Sequence, residues 1–117
     1  MLIHKRLSVS LFAAVLALTS CSFSPIAQNG YEKIKEDIKS NLQYPSTYKG
    51  EEVDCYDIAS VYQYRIVFSG ENGLGLRGRA TAYYTYNFGS DSIKNRGSDA
   101  SYFNEAKAKG NKHSISA

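Results

Sequence analysis

Between Tyr62 and Phe88 the chain alternates large and small or polar residues on either side of a single glycine-rich break, and that pattern leaves few folds open. Tyr62-Gln63-Tyr64-Arg65-Ile66-Val67-Phe68 is dense in β-forming residues, Gly70-Glu71-Asn72-Gly73-Leu74-Gly75 reads as a turn, and Leu76 to Phe88 reads as a long returning strand. Side-chain size suggests the register. Pairing Phe68 with Leu76 sets Ile66 opposite Gly78, Tyr64 opposite Ala80 and Tyr62 opposite Ala82, so each large residue faces a small one on the face a helix can cover. A slip of one residue would turn Arg77 and Arg79 onto that apolar face. In the favoured register Arg65 comes opposite Arg79, with Arg77 nearby, and like charges in that position need an acid between them.

What precedes the hairpin supplies its cover and a third strand. Tyr31, Ile34, Ile38 and Leu42 recur at helical spacing, which predicts a helix from about Gly30 or Tyr31 to Leu42. Asn29 is positioned as its N-cap, with Glu32 completing a capping box and spaced to pair with Lys35. Its polar face mixes acids and lysines, so it is read as packing on a core rather than lying on a membrane. Tyr44-Pro45-Ser46-Thr47-Tyr48 is a turn, and Glu51 to Ile58 a strand. Its alternation breaks at Cys55-Tyr56, which implies a bulge or cover on both faces. After Phe88 the chain turns polar, with a short helix expected from Asp99 to Lys109, capped by Ser98 and ended by Gly110, and a frayed end from Asn111 to Ala117. The expected fold is α+β: one amphipathic helix packed on a three-stranded antiparallel meander, with a short C-terminal helix.

The arginines carry the most specific chemistry. Arg65, Arg77, Arg79 and Tyr83 fall on one face of the hairpin, with Thr81 among them. Guanidinium forks recognise carboxylate and phosphate, and tyrosine beside arginine is common at protein-binding surfaces, so these four residues are the candidate partner-binding face. The plainer reading is a solvated face neutralised by Glu51, Asp57 or another acid of the first strand. Other chemistry is thinly provided. Glu51, Glu52, Asp54 and Asp57 lack the spacing of a Ca²⁺ loop, and no metal or cofactor is expected. Asp54 and Asp57 are the carboxylates a small hydrolase would use. The glycines at 70, 73 and 75 lead into a strand rather than a helix, unlike a nucleotide-binding loop.

The amino terminus has the order of an export signal: basic residues His4, Lys5 and Arg6, an apolar run from Leu7 to Leu18, then Leu18-Thr19-Ser20-Cys21. A dozen apolar residues fall short of the roughly 20 that cross a bilayer. These first 21 residues resemble the signal peptide of bacterial lipoproteins. The resemblance implies cleavage before Cys21, lipidation of its sulfur, and a mature chain held to a membrane by its first residue. Ser22 after the cysteine implies the outer membrane of a Gram-negative host, facing the periplasm. The expected organisation is therefore a signal at 1–20, a lipidated tether at 21–29, an α+β domain at 30–90 and a polar segment at 91–117. An extended tether would reach roughly 25 Å.

Cleavage also changes the charge balance. The chain has 14 basic and 11 acidic residues, but without Lys5 and Arg6 it has 12 and 11, so its basic character lies largely in the signal and argues against nucleic-acid binding. With Cys21 acylated only Cys55 remains, either buried or bridged to another chain, burial being the favoured reading, and the mature chain keeps a single histidine, His113, in the polar tail. That leaves little for a histidine-dependent triad or a zinc site. A second resemblance spans residues 31 to 88. Leu42…Pro45-Ser46, Tyr64-Arg65-Ile66-Val67-Phe68 and Asn72-x-x-Gly75…Arg77 are similar to small secreted bacterial and phage proteins with a Leu-x-x-Pro-Ser turn and an Asn-x-x-Gly hairpin. It implies the α+β layout and no catalytic residue. The functional expectation is a lipid-anchored, non-catalytic binding or accessory protein of the envelope with a protein partner. A carboxylate-dependent hydrolase and a purely structural lipoprotein are the alternatives.

Overall fold

The computed structural model describes residues 24–117. The signal, the lipobox and Cys21 lie outside the described residues. Helix α1, Pro25–Ser40, begins earlier than the apolar stripe predicts. Ser24 is its cap, with Oγ accepting from the Ala27 amide at 3.2 Å, and Pro25 takes the first helical position, where a missing N–H is harmless. Ala27, Tyr31, Ile34 and Ile38 are the buried stripe. Glu32 makes the expected pair with Lys35 at 3.2 Å, and it accepts from Gln28 at 2.9 Å. The helix ends at Ser40 rather than Leu42, because Ser40 and Asn41 turn their side chains back onto the Asp37 carbonyl. Residues 25–29 of the expected tether are therefore helical.

Beyond a 3₁₀ turn at Pro45–Thr47 the strands follow as β1 Lys49–Ile58, β2 Val61–Glu71, β3 Arg77–Asn87 and β4 Ser92–Gly97. Helix α2, Ser101–Lys109, and β5, Asn111–His113, complete the chain. They form one antiparallel sheet of five strands in the order β4-β3-β2-β1-β5, which corrects the three-stranded expectation. The two added strands are the sheet's outer strands, too short and polar to show an apolar period. β5 also corrects the frayed end. Ile115 packs on the core, and Ser116 exchanges two hydrogen bonds with the Gln28 side chain at 2.8 and 3.0 Å.

The β2–β3 register is four residues from the expected one: Phe68 faces Ala80, Ile66 faces Ala82, Tyr64 faces Tyr84 and Tyr62 faces Tyr86. The turn is tighter than a Phe68–Leu76 pair would make it, because the Asn72 side chain accepts from the Leu74 and Leu76 amides at 2.9 and 3.1 Å. Pairing then runs unbroken from Val61–Asn87 to Glu71–Arg77, and Leu76 is left outside the ladder. A shift by an even number keeps every side chain on its expected face.

Each face of the sheet has a helix. α1 covers Cys55, Tyr62, Tyr64, Ile66, Tyr84 and Tyr86. α2 covers the other face through Phe103, which packs edge-on to Tyr56 and against Tyr83. Cover on both sides, rather than a bulge, explains the broken alternation at Cys55-Tyr56; the bulge in β1 is at Gly50–Glu52. The core is built largely of tyrosines, and their hydroxyls find partners at its margins. Tyr64 donates to the Ala27 carbonyl, Tyr84 to Asp37 and Tyr86 to Asp91, each at 2.6 Å, and Tyr31 bonds Tyr48 at the same distance.

Candidate functional site

The corrected register rearranges the arginine face. Arg65 stands opposite Tyr83, not Arg79; Arg79 stands opposite Ser69 and Arg77 opposite Glu71. All four candidate residues share the face that α2 half covers, spread along the hairpin rather than clustered at one point.

Each guanidinium has an acid. Arg65 lies 3.2 Å from Asp54 and 3.6 Å from Glu52, both on β1. Arg79 bonds Glu51 at 2.8 Å through Nε, reaching the residue that the β1 bulge adds. Arg77 pairs with Glu71 at 3.3 Å and donates to the Ser69 hydroxyl and the Thr47 carbonyl, clamping the 3₁₀ turn to the hairpin. Arg65 and Arg77 thus serve contacts within the domain. Arg79 has one acid and a side chain 62 % exposed, which makes it the most available of the three. Tyr83 is half-buried against Phe103.

The outer edge of β3 was not anticipated from the sequence. β4 pairs with β3 only from Tyr83 to Asn87, so the stretch from Arg77 to Ala82 has no neighbour on its outer side among the described residues. Antiparallel ladders bond alternate residues to alternate sides. The Asn72 amide bonds the Leu76 carbonyl at 2.9 Å. Counting from there, the N–H and C=O groups of Arg77, Arg79 and Thr81 point outward. Beyond them the turn exposes Leu74 and Leu76, at 84 % and 63 %. On the α1 side of the same edge, Leu42, Phe68, Leu76, Gly78 and Ala80 line a shallow cleft whose wall also includes Asn41, Gln43, Glu71, Asn72 and Arg79.

The hydrolase carboxylates are separated. Asp54 faces Arg65 on one side of β1, and Asp57 faces His113 on the other. His113 is far from loose: its Nε2 is 2.6 Å from Asp57 Oδ1, both side chains are mostly buried, and its ring lies 5.1 Å from that of Tyr62. Cys55 pairs with His113 across β1 and β5, placing a thiol, an imidazole and a carboxylate on neighbouring strands. Yet burial pushes the Cys55 thiol up to about 12, the opposite of what a cysteine nucleophile requires. The Asp57–His113 bond joins the last strand to the sheet.

Among the described residues no group of three or more His, Cys, Asp or Glu is placed to share a metal ion, and no helix is long and apolar enough to cross a membrane. Comparison with known proteins finds no match for this chain, whether among family models, curated proteins or solved structures.

Proposed function

We propose that this chain is a lipid-anchored, non-catalytic binding or accessory protein of the bacterial cell envelope, attached through Cys21 to the outer membrane. It contacts an envelope protein on its periplasmic side through the distal β2–β3 hairpin. The observation that carries the reading is the hairpin's form: it extends past β4, with an open edge, two exposed leucines and Arg79 on one arm. The start of α1 adds to this. Only residues 22–24 separate Cys21 from the first helical residue, so a lipidated Cys21 would hold the α1 N-terminus within roughly 14 Å of its anchor point. The expected 25 Å tether is shortened accordingly. α1 passes from the Tyr64–Tyr86 end of the sheet, where Asn29 meets Tyr86, to the Gly70 end, where Leu42 sits. Sixteen helical residues span about 24 Å, so the hairpin tip lies about that far along α1 from the tethered end.

The test is in-cell cross-linking of the full-length protein. A photo-reactive side chain at Leu76 is expected to trap a discrete envelope protein, and one at Phe88 is not. Arg79→Glu should weaken the product while leaving the protein folded, and Cys21→Ala should abolish incorporation of labelled fatty acid. Identical products from both positions, or a Cys21→Ala protein that still takes up the label, would overturn the reading.

A further inference from the structure

We infer that the open edge of β3 accepts a partner's extended segment as an added strand, and that this segment alternates acidic and apolar residues. The inference rests on the binding reading above and specifies the chemistry of the partner. Three features meet at one place. The outward backbone groups of Arg77, Arg79 and Thr81 form a donor–acceptor row of the kind an incoming strand satisfies. On one side of that row stands Arg79, whose exposed guanidinium uses Nε on Glu51 and leaves much of its fork open to a second carboxylate. Arg79 is on the solvent side of that pair, where water screens the charge, so exchanging its partner costs little. On the other side lies the cleft of Leu42, Phe68, Gly78 and Ala80, with empty space where a Gly78 side chain would stand.

An added strand presents successive side chains to alternate faces. Its acidic residues would meet Arg79, and the apolar ones between them would lie over the small residues of β3 against Leu42 and Phe68. A second copy of this chain fits less well. Antiparallel self-pairing centred on this stretch sets one Arg79 against another, and like charges directly opposite are destabilising. A basic strand meets the same repulsion.

The experiment uses the full-length lipoprotein in detergent and a short, end-blocked peptide of alternating Glu and Val, with a Lys/Val peptide as control. Fluorescence anisotropy reads binding and amide hydrogen exchange reads its location. The Glu/Val peptide should bind and slow exchange at Arg77, Arg79 and Thr81. The Lys/Val peptide, and the Glu/Val peptide with Arg79→Glu, should bind about tenfold more weakly. Thr81→Pro removes one outward N–H at an edge position that tolerates proline, and should weaken binding about fivefold. Equal binding of the two peptides, or no protection of the three amides, overturns the inference. So does protection that appears without peptide as the protein dimerises. If these tests fail while Leu76 still cross-links its partner, strand addition falls and the binding reading stands.

Discussion

Gly30→Ala sets two effects of opposite sign against each other. Alanine in a helix interior is favoured over glycine by about 1 kcal/mol, so Gly30 within α1 looks like an easy site for stabilisation. Packing reverses the sign. A Cβ there would lie 2.5 Å from the Tyr64 hydroxyl and 2.6 and 2.8 Å from Cδ2 and Cγ of Tyr86. Neither ring has room to retreat: Tyr64 is fully buried with its hydroxyl bonded to the Ala27 carbonyl, and Tyr86 is held through its own hydroxyl by Asp91. Overpacking of this kind costs about 1–3 kcal/mol, and loosening the Tyr64 bond adds about 1. Subtracting the propensity gain leaves a net destabilisation of about 2 kcal/mol, or a fall in Tm of roughly 10 °C. Thermal melts followed by circular dichroism, with wild type and variant in the same detergent, measure it. Tyr64→Phe removes the nearest atom, so Gly30→Ala should be less harmful in that background. A Tm at or above wild type would refute close helix–sheet contact at Gly30.

Burial chiefly holds the hydroxyls of Tyr31, Tyr48, Tyr62, Tyr64, Tyr84 and Tyr86 above their ordinary pKa. The folded state thus keeps protons the unfolded chain releases near pH 10; stability is intact below that pH and declines as pH rises past it. Tyrosinate absorbance and circular dichroism should then change in one cooperative step, and ionisation of more than four of the ten tyrosines with a native spectrum would count against it. Cys55, fully buried, should resist maleimide until the protein is denatured; labelling of the folded state would show that the β1–β5 contact opens. Ala59 and Ser60 turn the β1–β2 hairpin at φ 51° and 66°, in the left-handed region that favours glycine. Ser60→Gly should raise stability by about 0.5–1 kcal/mol in the same melts, and an unchanged or lower Tm would argue against strain at that turn.

The helix stripe at Tyr31, Ile34 and Ile38, the three long strands and the sides their residues take were legible because burial imposes a period on the sequence. The burial of Cys55 was legible for the same reason. Register was not. Matching large residues to small ones points to the wrong pairing, since the observed one sets Tyr64 against Tyr84 and Tyr62 against Tyr86, and the Asn72 side chain, bonding two amides across the turn, goes with the true one. The helix start was written in Ser24-Pro25 but was obscured by the apparent Asn29-to-Glu32 capping box.

The candidate face divides along the same line. That Arg65, Arg77, Arg79 and Tyr83 share one side follows from alternation alone. Which arginine is free depends on acids from other strands: Glu52 and Asp54 at Arg65, Glu71 at Arg77, and Glu51, brought within reach of Arg79 at a bulge. The role of His113 likewise came from a three-residue strand with no period to read. Periodicity records whether a side chain is buried, and it is local. Ion pairs, open edges and the closure of the C-terminal strand depend on where distant segments meet, and these emerge only when the sheet is assembled.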